Sequence, residues 1–196
     1  MRHDTRLSAP AGPVGRRSLL RTAVIATTGL AVARASAHPD IPLQQETQPV
    51  PEILHLIKIR AAQDKVFQAV STADDIRGWW TRDAVLDPRV GGTGEFGFYG
   101  HRMVINVRVA ALAPPGYAAW DVLSSTGGAF DGTTITFDLT SADGITSLLF
   151  AHRGFKPEGN NIPSATTRWG FYLLSLKRYV ETGTGTPNPE DTELIR

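Results

Sequence analysis

Aromatic side chains are the residues of this chain whose types best suggest a binding chemistry. The set comprises Trp79, Trp80, Phe96, Phe98, Trp120, Phe137, Phe150, Trp169 and Phe171. One interpretation is a pocket for an apolar or aromatic small molecule. The other is ordinary core packing, which we favour for any single member of the set. Trp79 and Trp80 are the stronger pocket candidates, because adjacent residues at a helix end are not expected to point into the same core.

Histidines offer the next candidates for chemistry, and those beyond residue 37 are His38, His55, His101 and His152. None forms an H-x-x-x-H pair or a histidine–carboxylate cluster at metal-ligand spacing, so we expect no metal site. His55 shares a strand face with Ile53 and Ile57, so it either points into the cavity or lies partly exposed and hydrogen-bonded to a neighbour. We favour the second interpretation, since the sequence shows no partner for it. His101 and His152 fall at predicted strand ends, where solvation is expected.

The sequence gives little support for nucleophilic or acid–base catalysis. The chain has no cysteine and no G-x-S-x-G motif, and the glycines at 91, 92 and 94 precede a strand rather than a nucleotide-binding helix. A strand carboxylate that faces a cavity could serve as a general base. Asp138 alternates with threonines and should face water, and Asp121 lies on the opposite strand face from Trp120. Glu95 is a third strand carboxylate. We predict no catalytic residue and no cofactor.

Hydrophobic periodicity indicates the elements that would position these residues. Residues 53–60 alternate as a strand, and Asp64 is a candidate N-cap for a short helix over 65–70. Thr72 would cap a second short helix whose first turn is acidic and which should end near Gly78. The spacing therefore predicts one strand followed by two short helices.

Further strands and one long helix complete the predicted order. Alternation or turn signals favour strands over 94–99, 103–109, 117–123, 133–140 and 145–152, with a hairpin turn at Asp143-Gly144. Trp169, Leu173 and Leu176 follow a helical spacing in the final element, 164–181, and Gly183 suits its end. The pattern predicts an α+β domain in which a curved antiparallel sheet wraps around a long C-terminal helix.

Short motifs in this order also carry a family resemblance. They are IRAA at 59–62, KVF at 65–67, WWT at 79–81, VGG at 90–92, the strand at 133–139, WG at 169–170 and YVETG at 179–183. Together they resemble the SRPBCC (START-like, helix-grip) superfamily. The branch is similar to the C-terminal domain of the activator of the heat-shock-protein-90 ATPase. The resemblance implies a helix-grip fold over residues 52–182 that closes an apolar cavity. It implies no single chemistry.

The first 37 residues are typical of an export signal. Residues 1–21 hold five arginines and one acid, and the apolar run at 22–33 is shorter than the roughly 20 residues that span a bilayer. The small-residue stretch 35–37 predicts cleavage after Ala37. Arg16 and Arg17, followed by Ser-Leu-Leu, indicate the twin-arginine route, with the export translocase as partner. An ordinary N-terminal helix or membrane anchor is the disfavoured alternative. The prediction is a periplasmic or secreted bacterial protein with no stable membrane anchor after cleavage.

The charge balance limits the classes of partner that this protein is expected to bind. The 196 residues carry 20 basic and 19 acidic side chains, a net charge of +1. Residues 1–37 hold six arginines and one aspartate, so their removal leaves 14 basic and 18 acidic groups, a net −4. A mildly acidic protein argues against nucleic-acid partners. Residues 38–51 form a proline-rich spacer, and residues 183–196 are expected to be a flexible tail.

These patterns lead to three functional hypotheses. The first is an exported protein that binds a hydrophobic small molecule between sheet and C-terminal helix, without catalysis. The second is a cofactor-free cyclase, dehydratase or hydrolase that acts on such a ligand. The third, suggested by the resemblance, is a regulator similar to the chaperone-ATPase activator. Acids or histidines beside Trp80 or Trp120 would favour the enzyme.

Overall fold

The computed structural model describes residues 51–156 and 161–194; the predicted signal and nearly all of the spacer lie outside this range. Seven strands are present: β1 (Ile53–Ile59), β2 (Asp83–Leu86), β3 (Thr93–Phe98), β4 (Met103–Ala113), β5 (Tyr117–Ser125), β6 (Thr134–Ala142) and β7 (Ile145–Arg153). The α-helices are α1 (Gln63–Ala69), α2 (Ala73–Trp79) and α3 (Ile162–Thr182). None of these helices is long and apolar enough to cross a membrane.

All seven strands form one antiparallel sheet in the order β1-β7-β6-β5-β4-β3-β2. Strands β2 to β7 follow one another as a meander, and β1 returns to pair with β7 from Ile53↔His152 to Ile59↔Thr146. Two register shifts interrupt the β4–β5 ladder, at Asn106/Val107 and Val109/Ala111. Because such bulges bend a strand, they support the curvature that lets the sheet enclose a helix. The predicted helix-grip fold is confirmed.

Helix α3 fills the concave side of the sheet. Its buried positions include Trp169, Leu173, Leu176 and Val180, the stripe predicted from helical spacing. Gly183 ends the helix with φ 83°, a conformation that glycine adopts without penalty. The Glu181 carboxylate accepts a hydrogen bond from the Arg60 backbone N–H at 2.7 Å, which ties the end of α3 to the end of β1.

The sheet shows the alternation expected of a layer with one wet face. In β6, Ile135, Phe137 and Leu139 are buried, whereas Asp138 is exposed. The β6–β7 hairpin turns through Asp143 and Gly144, whose φ angles of 53° and 73° match the predicted two-residue turn.

Local details differ from the predictions in two places. Helix α1 begins at Gln63 with Ala62 as its N-cap, so Asp64 lies in the first turn instead of capping it. Its carboxylate there still complements the helix dipole. Strand β2 was not predicted, because four residues are too few to display an alternation and the turn signals beside them dominate.

The C-terminal segment differs from the flexible tail that was expected. Asn188 forms a parallel bridge with Thr81, and its backbone N–H donates to the Trp80 carbonyl at 2.9 Å. Asn188 and Asp191 are both buried. Polar side chains can be buried when they find partners, and these two bond to each other, Asn188 Nδ2 to Asp191 Oδ1, at 2.8 Å.

Candidate ligand cavity

A cavity lies between the inner face of β3–β7 and the first half of α3. Its empty space is about 480 Å³, open solvent at the mouth included. Apolar side chains make most of the wall: Trp80, Phe98, Met103, Ile105, Val122, Phe130, Ile135, Ala165 and Trp169. Four polar side chains complete it, namely Tyr99, His152, Arg168 and Tyr172. An outer groove continues the mouth and shares Met103, Phe130, Ala165 and Arg168 with the cavity.

Trp80 is the centre of the aromatic wall. Ring centroids within 6 Å of it belong to Phe96 (4.7 Å), Trp169 (5.1 Å), Phe98 (5.5 Å), Trp120 (5.8 Å) and Trp79 (5.9 Å). Tilted and offset ring pairs of this kind add stabilisation beyond the area that they bury. The aromatic rings therefore pack closely against one another where the wall meets the cavity.

Trp79 and Trp80 share one core, contrary to the prediction for adjacent residues at a helix end. Both are buried, at 0% and 2% exposure, and their rings stack. Successive residues of a helix diverge by about 100°, which still allows both to point inward at the end of α2. Trp79 turns toward α1 and donates from Nε1 to the Ala69 carbonyl at 2.8 Å, whereas Trp80 faces the cavity.

Three of the predicted aromatic residues reach the cavity wall: Trp80, Phe98 and Trp169. The others are buried behind it as core, namely Trp79, Phe96, Trp120, Phe137 and Phe150. Phe171 is half-buried on α3 and packs edge-on against Tyr172. The cavity and the core are thus two layers of one aromatic cluster.

His55 is half-buried under α3 and does not line the cavity. Its ring lies 6.2 Å from that of Phe150, and it sits beside Gly170 of α3. Within the described residues, Nε2 of His55 is buried without a hydrogen-bond partner. The partner that we expected for this histidine is therefore not found there.

His152 is the titratable residue that the sequence analysis placed wrongly. It was expected to be solvated at a strand end, yet it is 2% exposed and lines the cavity. Trp169 Nε1 donates to its Nδ1 at 3.1 Å, and its Nε2 lies 2.8 Å from Thr133 Oγ1. Since indole nitrogen only donates, the proton of a neutral His152 is on Nε2 and is donated to Thr133.

The environment of His152 keeps the imidazole neutral. Burial lowers its pKa from 6.5 to about 3. Thr133 passes the hydrogen bond on to the Phe130 carbonyl at 2.6 Å, so the chain of donors and acceptors ends in backbone. Both ring nitrogens are occupied by protein groups, and the side chain serves to hold Trp169 in the wall.

A cationic group stands at the mouth. Arg168 donates from its guanidinium to the Tyr99 hydroxyl and lies 5.8 Å above the centre of the Tyr99 ring. Tyr99 adopts a left-handed φ of 54°, which is costly for a residue with a side chain. Its backbone N–H is fixed by the Asn188 side chain at 2.9 Å. The C-terminal segment thus helps to hold this strained residue at the mouth.

Tyr172 presents the remaining polar group of the wall. Its hydroxyl donates to the buried Asp191 carboxylate. Burial, and then the bond to Asp191, raise the pKa of Tyr172 far above its ordinary value, so the phenol stays protonated. Asp191 lies in the segment expected to be flexible, and nothing in the local sequence pattern marks it as buried.

The strand carboxylates considered as bases lie outside the cavity. Asp121 pairs with Arg108 at 2.8 Å on the outer face of the sheet. Glu95 lies 3.3 Å from His101, and Asp138 is exposed. The positions of Asp121 and Asp138 agree with the strand faces assigned from alternation. Among the described residues, His, Cys, Asp and Glu side chains form no group of three suited to a metal ion.

Two cavity-wall residues that were not among the predicted candidates, His152 and Tyr172, do have a periodic signal in the sequence. His152 follows Leu148 and Phe150 at a spacing of two, so strand alternation alone places it on the inner face. Tyr172 belongs to the helical stripe of Trp169 and Leu176. Arg168 and Tyr99 had no such signal, because a residue at a cavity mouth is neither fully inside nor fully outside.

Comparisons with known proteins agree with this architecture. The family model described as Activator of Hsp90 ATPase homolog 1-like protein matches residues 60–181. The solution structure of the Aha1 dimer from Colwellia psychrerythraea is 31% identical, with a TM-score of 0.62, and the match covers 69% of this chain and 100% of that one. No curated protein matches the chain.

More distant solved structures share the fold alone. Protein MLL2253 from Mesorhizobium loti is 21% identical with a TM-score of 0.59, over 65% of this chain and 95% of that one. CalU16 from Micromonospora echinospora is 15% identical with a TM-score of 0.54, over 74% of this chain and 81% of that one.

Proposed function

The chain belongs to the Activator of Hsp90 ATPase homolog 1-like family, and from this premise we propose that its domain binds an apolar small molecule in the cavity between sheet and α3. The observation that carries the proposal is the wall formed by Trp80, Phe98 and Trp169, which opens through a mouth to solvent. Apolar pockets with a few polar groups are the usual form of a small-molecule site.

The energetics favour an aromatic or alicyclic ligand. Each apolar Å² removed from water contributes about 25 cal/mol, and a ring-shaped ligand can pack against the aromatic side chains that line the cavity, Trp80, Phe98 and Trp169. The wall is held before binding by stacked rings and by the His152–Trp169 bond, so little ordering is required when the ligand enters.

Native mass spectrometry of the protein purified from its own host tests the proposal. We expect a co-purified small molecule that is released on denaturation. The variant Ala165→Phe would place a ring at the mouth and should lose the ligand, whereas Leu174→Phe, on the exposed side of the same helix, should retain it. An empty wild-type cavity across growth conditions would sink the proposal. Near-UV circular dichroism verifies that both variants fold.

A cofactor-free enzyme is the alternative, and two observations bear on it. In its favour, His152 and Tyr172 line the cavity. Against acid–base catalysis, both nitrogens of His152 are bonded to protein groups, and the Tyr172 hydroxyl is committed to Asp191. A general base needs a free lone pair within reach of the substrate. Binding without catalysis therefore remains our first choice.

We also propose that the protein is exported, on the strength of residues 1–37, which lie outside the described structure. Arg16 and Arg17 support the twin-arginine route, and the net charge of −4 after cleavage supports a soluble, detached product. Export would separate the protein from a cytoplasmic chaperone, which makes a role in activating such an ATPase our third choice. A pulldown from envelope extract that recovered such a chaperone would reverse that ranking.

A further inference from the structure

We infer that the ligand is an anionic amphiphile: a compact apolar body that carries a carboxylate, which Arg168 and Tyr99 bind at the cavity mouth. This inference rests on the proposed function and specifies the chemical class of its ligand. Three observations carry it: the charge of the lining, the state of the guanidinium and the hydrogen-bonding capacity of the Tyr99 hydroxyl.

The charge of the lining is positive and comes from one residue. Among the described residues that line the cavity and the outer groove, Arg168 is the only charged side chain, since His152 is neutral near pH 7. No aspartate or glutamate of these linings balances it. The buried Asp191 lies behind Tyr172 and outside these linings. An apolar ligand with a negative group would place a counter-charge in direct contact with Arg168, at the point where the cavity opens.

The guanidinium is held in place without being neutralised. Arg168 bonds to the Tyr99 hydroxyl and lies over its ring, and no carboxylate of the described chain is within salt-bridge distance of it. Five N–H donors sit on a guanidinium, so donors remain for a second acceptor. A planar fork of donors matches the two oxygens of a carboxylate.

The Tyr99 hydroxyl adds a donor beside the guanidinium. It accepts a hydrogen bond from Arg168, and its own hydrogen has no acceptor among the described residues. The bond from the Tyr99 backbone N–H to Asn188 fixes the residue in its left-handed conformation. The mouth therefore offers two adjacent donor groups held at fixed positions, which favours an oxygen anion over a neutral carbonyl.

Calorimetric titration of the full chain with a matched pair of probes tests this inference. The probes are 2-naphthoate and 2-naphthamide, which share one apolar body and differ in charge. We expect 2-naphthoate to bind about tenfold or more tightly than 2-naphthamide at neutral pH, as a charged hydrogen bond implies. The preference should weaken in high salt.

Four variants test which side chains cause the preference for 2-naphthoate over 2-naphthamide. Arg168→Gln should abolish it, because 2-naphthoate binding should weaken far more than 2-naphthamide binding, and Arg168→Lys should keep part of it. Tyr99→Phe should reduce it a few-fold, since one donor is lost. Arg178→Gln removes the same charge from an exposed position of α3 outside the cavity and should leave the preference intact.

The outcomes separate this inference from the proposed function. If wild-type protein binds both probes equally, or if Arg168→Gln and Arg178→Gln change the preference alike, the anionic class is refuted and the apolar site stands. If wild-type protein binds neither probe, the inference and the proposed site fail together for ligands of this size.

Discussion

His152 shows at the scale of one residue how burial determines chemistry. A histidine in a cavity wall is normally a candidate acid or base, yet this one accepts from Trp169 and donates to Thr133. Its chemical role is thereby limited to holding a neighbouring ring in position. The same residue gives the molecule a measurable dependence on pH.

We predict that His152 makes the protein acid-sensitive. Its folded-state pKa of about 3 lies below the ordinary 6.5, so the unfolded chain binds the proton first as the pH falls. The contribution to stability is complete above about pH 6.5 and is lost as the pH falls toward 3. Between pH 7 and pH 5 this group should reduce the free energy of unfolding by about 2 kcal/mol. Urea unfolding of wild type and His152→Gln at both pH values measures it; parallel pH profiles would refute the assignment.

Two equally buried tryptophans, Trp79 and Trp120, should differ in how much stability is lost when each is replaced by phenylalanine. Trp79 donates to the Ala69 carbonyl at 2.8 Å, whereas Trp120 Nε1 is buried without a partner among the described residues. Trp79→Phe removes a satisfied bond, and Trp120→Phe removes an unsatisfied donor. We expect Trp79→Phe to lower the free energy of unfolding by about 1–3 kcal/mol more than Trp120→Phe. Denaturant titration compares them, and equal losses would contradict the hydrogen-bond argument.

At the scale of elements, two helical glycines provide a matched test of packing. A Cβ on Gly78 of α2 would overlap the Tyr179 ring, whose hydroxyl donates to Asp75 at 2.8 Å. A Cβ on Gly170 of α3 would meet only His55 Cε1, at 3.6 Å. The first glycine permits close contact between α2 and α3, and the second has no comparable neighbour.

We expect Gly78→Ala to destabilise the protein by about 1–3 kcal/mol, because the ring of Tyr179 must move. Gly170→Ala should stabilise it by about 0.5–1 kcal/mol, since alanine is the better helix former. Thermal unfolding of both variants gives the two signs. A stabilised Gly78→Ala would show that the α2–α3 contact tolerates an extra methyl group.

The elements also show what the sequence could predict. Alternation placed β1, β4 and β6, and helical spacing placed α3, because each buries one face over many residues, while the turn at Asp143-Gly144 placed β7. Strand β2 and the C-terminal segment were missed for the opposite reason. Their positions depend on partners distant in the chain, such as Thr81 with Asn188, and no local pattern reports such pairings.

At the scale of the whole molecule, the order of elements was enough to predict the fold but not the site. The helix-grip architecture follows from strand, two helices, meander and long helix. The cavity mouth depends on Tyr99 and Arg168, which are 69 residues apart and meet only when the sheet has closed around α3. A single sequence has no local pattern that predicts a contact between residues so far apart in the chain.

Export is the remaining prediction at this scale. Replacing Arg16 and Arg17 by lysine keeps the charge but should leave the protein in the cytoplasm, since the twin-arginine route reads the pair itself. The matched control replaces Arg2 and Arg6 by lysine and should be exported normally. Cell fractionation with immunoblotting measures both. Unchanged export of the first variant would refute this route.

The pairing of β1 with β7 has a consequence for the time course of synthesis. Ile53 pairs with His152, so the first strand that is synthesised has no pairing partner until almost one hundred further residues have been added. At about 5–20 residues per second, that wait lasts roughly 5–20 s on the ribosome. Leu54 and Leu56, exposed in the finished protein, leave the waiting strand apolar on both faces. Nascent chains arrested before β7 should therefore remain protease-sensitive at β1 and gain protection only after β7 and α3 have emerged.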